Sequence, residues 1–141
     1  MEQQNHMQVV FDAKSENEGL ARMLVTAFMS EMNPTLEQIA DVKTAVSEAV
    51  TNAIIHGYEN EMESVRLSCD RDGQQLVVTV EDKGVGIADV EQAMQPFYTT
   101  KPQLERSGMG FAFMDKIEVC SHVGEGTKVV MWKYIERERE Q

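Results

Sequence analysis

Between Thr35 and Gly57 the chain carries one long pattern. Ile39, Val42, Val46, Ala49, Val50 and Ala53 recur at the three- and four-residue spacing of a single helix face. Thr35 and Gln38 stand at its start with the spacing of a capping box, in which two side chains satisfy free backbone groups, and Gly57 suits its end. A helix this long with one apolar stripe must bury that stripe against another layer.

The remaining elements supply that layer. Val9 to Asp12 reads as a short strand. Ser15 and Glu18 form a second capping box, opening a helix whose apolar face is Leu20, Met23, Leu24, Ala27 and Phe28, running to about Met32 before Asn33-Pro34 interrupts it. Val65, Leu67 and Cys69 alternate, as do Leu76, Val78 and Val80, and Asp72-Gly73 between them is a type I′ hairpin signal. Asp89 to Met94 suggests a short helix. Gln95 to Ser107, with two prolines, reads as a lid-like loop over about 95–108. A helix is expected to begin at Gly108 to Gly110, followed by strands near Ile117 to Cys120 and Thr127 to Trp132, with Gly124 and Gly126 at the turn and a charged tail from Glu136 to Gln141. No internal repeat or linker interrupts this order, so residues 1–141 are expected to form one domain. The expected class is α+β: two layers, with helices on one face of a mostly antiparallel sheet.

Composition excludes several classes of partner. With 24 acidic and 13 basic residues in 141, the formal charge is −11, which repels phosphate backbones and anionic lipid surfaces, so direct nucleic-acid or membrane binding is not expected. Apolar runs stop at four residues, far short of the roughly 20 that span a bilayer. Met1 to Met7 lacks the basic and apolar regions of a secretory signal, so a cytoplasmic protein is expected. Cys69 and Cys120 form no C-x-x-C pair and both fall in alternating apolar stretches, which suggests buried structural thiols. The ten methionines suit either core filling or an adaptable docking surface.

Three segments carry candidate chemistry. Glu48 and Asn52 lie one helical turn apart, with His56 a turn further. At 100° per residue they stand about 200° and 240° from Val46 and point away from the stripe, so taken alone they also fit a solvated face. Asp82-Lys83-Gly84-Val85-Gly86 closes the second hairpin strand; it suits a tight turn, or a loop whose glycines let a ligand approach while Asp82 accepts from an exocyclic amine. Arg106-Ser107-Gly108-Met109-Gly110 precedes a helix start whose free amides could receive phosphate oxygens, though a hinge has the same composition. Phe113 stands where a Rossmann fingerprint needs its third glycine, and no P-loop run exists.

As an ordered set, Glu48/Asn52, Asp82/Gly84/Gly86, Gly108/Gly110 and Gly126-Thr127 resemble the N box and glycine boxes of the GHKL ATPase and kinase superfamily. The stretches Ser47 to Tyr58, Thr99 to Pro102 and Leu104 to Phe111, together with Ser15 to Glu18, resemble its sporulation anti-sigma kinases over nearly the whole chain. The Gln95-Pro96-Phe97-Tyr98 lead into the threonine pair departs from the usual proline-leucine-phenylalanine.

The resemblance implies a Bergerat-type sandwich that binds ATP and Mg²⁺. It gives Asn52 to the metal, Asp82 to the adenine amino group with Thr127 assisting, and Gly84 and Gly86 to the shape of the base pocket. Gly108, Met109 and Gly110 would offer amides to the phosphates, with Arg106 at the γ-phosphate and Thr99, Thr100, Lys101 and Ser107 in the lid. Glu48 is the expected catalytic residue, placed to orient or deprotonate a serine hydroxyl. His56 is an alternative base or a helix-dipole partner, and Lys101 a phosphate contact or a solvated charge. The implied function is an ATP-dependent protein serine kinase, acting as a homodimer, that inhibits a sporulation sigma factor, sigma factor F, and phosphorylates its anti-anti-sigma partner. Arg22 is a candidate partner contact or a plain surface charge. A general-stress anti-sigma kinase and an ATP-gated binder without phosphotransfer are the alternatives.

Overall fold

A computed structural model describes residues 3–57, 63–82, 111–122 and 126–136. In chain order the elements are β1 (Gln4–Asp12), α1 (Glu16–Ser30), α2 (Leu36–Gly57), β2 (Ser64–Asp72), β3 (Gln75–Asp82), a 3-10 turn (Phe111–Phe113), β4 (Lys116–His122) and β5 (Gly126–Tyr134). The strands form one sheet in the order β1-β2-β3-β5-β4, every neighbouring pair antiparallel. Both helices pack on one face of it. This is the expected two-layer α+β architecture.

The Thr35 capping box forms as its sequence predicts. The Thr35 backbone N–H donates to Gln38 Oε1 at 3.1 Å, and the Gln38 N–H donates to Thr35 Oγ1 at 3.1 Å. The Ser15 box does not form. Ser15 already has helical dihedrals, φ −58° and ψ −30°, and makes no side-chain cap, whereas a capping residue needs extended backbone to turn its oxygen back on the first amides. Instead Asn17 Nδ2 donates to the Asp12 carbonyl at 2.9 Å, fastening the helix start to the end of β1.

The buried face of α1 is rotated from the expected one. Ala21, Val25 and Met29 are buried, Leu24 and Phe28 are partly buried, and Leu20 and Met23 are exposed. Ala21, Val25 and Met29 form a four-residue ridge, and its small leading members permit close approach to α2. Asn33, with φ 53°, takes the left-handed conformation that ends this region.

β1 is longer than expected, and in the β2–β3 hairpin the loop residues are Gly73 and Gln74, since Asp72 pairs with Gln75. Only Gly73, at φ 62°, is left-handed there, the pattern of a II′ turn rather than the expected I′. Of the helix expected after Gly110, the described part is the 3-10 turn, ended by buried Met114 and the start of β4. The Asp89–Met94 helix and the 95–108 lid lie outside the described residues.

The register aligns residues across all five strands. Under the helices, Met7, Cys69, Val78, Met131 and Ile117 form one row, and Val9, Leu67, Val80, Val129 and Val119 the next. Both are apolar throughout, and with Val42, Val46, Val50 and Leu76 they build the core. Each such Val, Leu or Met side chain contributes about 1.5–3 kcal/mol when fully buried. A third row runs Phe11, Val65, Asp82, Thr127 and Ser121. It changes halfway from apolar to oxygen-bearing side chains.

The opposite end of the sheet is tied by side chains. Gln74 Nε2 donates to the carbonyls of Met32 at 3.1 Å and Ile135 at 2.8 Å, and Arg71 Nη2 donates to Gln74 Oε1 at 3.1 Å. Gln38 Nε2 reaches the Tyr134 carbonyl at 3.5 Å, and Lys133 Nζ lies 3.6 Å from Asp41 Oδ2 while donating to the Phe113 carbonyl at 2.6 Å. These contacts pin the start of α2 to the end of β5. From there α2 runs back along the sheet toward Gly126.

Candidate functional site

At 1.5 Å per residue, Asn52 lies about 21 Å along α2 from Gln38, and at 3.3 Å per residue Thr127 lies about 23 Å back along β5 from Tyr134. The two runs match. The Glu48–Asn52 stretch is thereby carried to the end of the sheet that bears the polar third row. Neither residue points away from the core as the helical projection suggests; both are partly buried. The buried arc of α2 extends through Ala45 and Ala49, and Ala45 stands only about 20° from Asn52 around the axis. Glu48 and Asn52 therefore edge the core, on the side that also carries Asp41.

Asp82, Thr127 and Ser121 are 6%, 8% and 1% exposed. Asp82 is directly opposite Thr127 in the β3–β5 ladder, and Thr127 opposite Ser121 in the β4–β5 ladder, so the three side chains share one face. The hydroxyls of Ser121 and Thr127 are 2.9 Å apart, and Ser121 Oγ donates toward the Gly126 carbonyl at 3.3 Å. A buried carboxylate beside buried hydroxyls is costly unless those groups are hydrogen-bonded. Such a cluster is suited to an amine donor next to a ring nitrogen.

Ser121 is the residue that motif reading misses. Its signal is the period-two alternation of β4, which puts Ser121 in phase with inward-facing Ile117 and Val119, so a hydroxyl falls where an apolar side chain is expected. Gly84, Gly86, Thr99, Thr100, Lys101, Arg106, Ser107, Gly108, Met109 and Gly110 lie outside the described residues. The 3-10 turn that follows Gly110 packs against α2, so the described chain resumes beside the helix that carries Glu48 and Asn52. His56 is in the last turn of α2, its side chain outside the described set.

Among the described residues no group of three or more His, Cys, Asp or Glu side chains could cage a metal. That donor set still fits Mg²⁺, which favours oxygen ligands and is commonly held by one or two side chains together with phosphates; the Asn52 amide oxygen is of that kind. Arg22 is partly exposed on α1, with Nε 3.2 Å from Glu18 Oε1 in an i,i+4 pair. Exposed Met23 lies next to it.

The two thiols differ. Cys69 is buried, and its pKa is pushed up to about 12, by burial first and by the charge of Asp70 second. Cys120, expected to be buried, is exposed: its neighbours in the ladder place it on the sheet face opposite the helices, in a row with Val10, Arg66, Glu81 and Lys128. No helix among the described residues is long and apolar enough to cross a membrane.

Residues 11–133 match the model of the histidine kinase-like ATPase domain family. The chain is 54% identical over 134 residues to an anti-sigma F factor of Clostridium beijerinckii, covering 92% of this chain and 94% of that one. It is 51% identical over 139 residues to an anti-sigma F factor of a Thermoanaerobacter species, covering 96% and 97%. Among solved structures, the RsbU and RsbW domains of a Mycobacterium tuberculosis protein superpose with a TM-score of 0.70 at 19% identity, over 96% of this chain and 33% of that one. The catalytic domain of the histidine kinase ThkA, nucleotide free, superposes with a TM-score of 0.54 at 16% identity, over 94% and 99%. At these identities the two structures speak to the fold.

Proposed function

The chain belongs to the histidine kinase-like ATPase family and within it to the anti-sigma F factors, and from that premise we propose that it inhibits sigma factor F and uses ATP to phosphorylate a serine of an anti-anti-sigma partner. The single observation that carries the nucleotide reading is the buried polar half of the third row, Asp82 opposite Thr127, in an otherwise apolar layer. In this reading Asp82 accepts from the adenine amino group and Thr127 assists at the base. Gly84 and Gly86 shape the pocket. Gly108, Met109 and Gly110 offer amides to the phosphates, with Arg106, Ser107, Thr99, Thr100 and Lys101 in a lid, and residues 1–141 act as one domain.

Mg²⁺, when bound through Asn52 and the phosphates, supplies charge neutralisation at the phosphate oxygens. Glu48, one turn before Asn52 and partly buried beside it, orients the incoming serine hydroxyl and accepts its proton. Phosphoryl transfer of this kind rests on positioning and electrostatics more than on covalent participation by the protein. A carboxylate held at the edge of the core is a fixed rather than a wandering base. Arg22, beside exposed Met23, is assigned to partner contact, and the working form to a cytoplasmic homodimer.

The test is mass-spectrometric detection of phosphoserine on a purified anti-anti-sigma protein after incubation with this chain and Mg-ATP, with Glu48→Gln alongside. Phosphoserine from wild type and none from the variant supports the assignment. Saturable ATP binding without phosphoserine from wild type would replace the kinase by a nucleotide-gated binder.

A further inference from the structure

We propose that Lys133 is a positioning residue for the phosphate end of the nucleotide site: its ammonium joins the Phe113 carbonyl to the Asp41 carboxylate, and so fixes the chain that follows Gly110 against the line of α2 that carries Glu48 and Asn52. The inference rests on the reading that Gly108, Met109 and Gly110 offer amides to the phosphates, and adds a residue that no motif contains.

The alternation of β5 puts a charge where an apolar side chain is expected. Lys133 is in phase with Thr127, Val129 and Met131 on the face under the helices, and Val129 and Met131 are buried there. The Lys133 side chain is itself only 13% exposed. An ammonium in such a place is costly unless oxygens compensate it, and an unbranched apolar side chain such as methionine would fill the space without that cost. The two oxygens it meets belong to different elements: the Phe113 carbonyl accepts from Nζ at 2.6 Å, and Asp41 Oδ2 lies 3.6 Å away on α2.

Each of these oxygens leads toward the proposed site. Asp41 precedes Glu48 by seven residues and Asn52 by eleven, close to two and three whole turns, so both stand within about 20° of Asp41 around the axis. Phe113 ends the 3-10 turn whose first residue, Phe111, follows Gly110 directly. Beyond the turn the chain is fastened to β5, since the Asp115 N–H donates to the Trp132 carbonyl at 2.9 Å and the Tyr134 N–H donates to Asp115 Oδ2 at 2.6 Å. Those bonds set the start of β4 on the sheet. Lys133 adds the tie from this segment to α2.

The consequence is specific to phosphate. Amides on one segment and the Glu48–Asn52 line on another must meet a single triphosphate at once, and a site of that kind depends on the groups that hold its parts in place. The base contacts are assigned to Asp82 and Thr127, and Thr127 lies six residues, about 20 Å, back along β5 from Lys133. Loosening the Lys133 tie therefore acts on the phosphates and spares the base.

The experiment compares wild type and Lys133→Met for equilibrium binding of Mg-ATP and of adenosine, which carries the base without phosphates, with thermal melts alongside. Lys133→Met is expected to weaken Mg-ATP binding about tenfold and to leave adenosine within about twofold. A merely structural role would lower the melting temperature and leave the ratio of the two affinities as in wild type; an unchanged ratio overturns the proposal. Should Lys133→Met fail to fold, Asp41→Asn keeps the Phe113 contact and removes the charge that joins it to α2, and an unchanged ratio there overturns it equally. Wild type that binds Mg-ATP no more tightly than adenosine would instead overturn the phosphate reading beneath it.

Discussion

Cys69 and Cys120 sit in one sheet and differ because they face opposite sides of it. Cys69 is in an apolar row under the helices, and Cys120 is exposed on the opposite face of the sheet. At pH 8 a thiol reagent such as Ellman's is expected to label Cys120 rapidly, and Cys69 only on unfolding. The raised pKa of Cys69, about 12 against 9.0 in the unfolded chain, makes a second prediction with a fixed sign. The folded state keeps its proton where the unfolded state loses it, so the stabilisation is fully present below pH 9 and is lost as pH rises through about 12. Over that window the unfolding free energy from urea titrations should fall more steeply in wild type than in Cys69→Ala, by about 1.4 kcal/mol per pH unit. For the α2 pair, Glu48→Gln is expected to lower phosphotransfer by about 10²- to 10⁴-fold with ATP binding kept, and Asn52→Ala to weaken Mg-ATP binding about tenfold or more. Calorimetry separates the two; equal binding losses would mean the residues share one structural role. At this scale Glu48, Asn52, Asp82 and Thr127 stand out in the sequence through the ordered motifs that resemble a known family, since spacing alone also fits a solvated helix face and a turn, whereas Ser121 depends on cross-strand register, which one chain's spacing does not contain.

The two capping boxes make the contrast at the scale of an element. Thr35 and Gln38 satisfy each other's backbone groups, while Ser15 makes no side-chain cap. Thr35→Ala is expected to destabilise the chain by about 1 kcal/mol, and Ser15→Ala by about 0.3 kcal/mol or less; urea unfolding resolves the difference, and equal losses would contradict the assigned caps. The same contrast marks what was readable in the sequence. The stripe of α2, the hairpin and the α+β class follow from periodicity, while the extension of its buried arc through Ala45, which brings Glu48 and Asn52 to the core edge, does not. α1 meets both α2 and the β1–β2 edge. Its buried line runs through Ala21, Val25 and Met29, a face that the hydrophobic spacing of Leu20, Met23, Leu24, Ala27 and Phe28 does not single out.

Among the described residues two sets of polar groups stand at opposite ends of the sheet. Asp82, Thr127 and Ser121 cluster where β3 finishes and β5 begins, while Gln74, Gln38 and Lys133 bind the elements together at the far end of the same strands. That separation was not legible beforehand, because it depends on which strand ends meet. Gln74 is its centre: a single amide nitrogen ties the chain after α1 and the chain after β5 to the β2–β3 hairpin. Side-chain ties of this kind raise the opening energies of the strand ends they hold. In deuterium exchange, amides of β3 and β5 near Leu76 and Lys133 should therefore exchange more slowly than those near Glu81 and Lys128. Gln74→Ala should erase much of that gradient. Uniform protection along both strands would show that the Gln74 tie holds nothing. On the proposed assignment of Asp82 to ligand recognition, such a gradient lets substitutions near it act on binding more than on folding, so the binding end can diverge among descendants of one ancestor while the end held by Gln74 stays as it is.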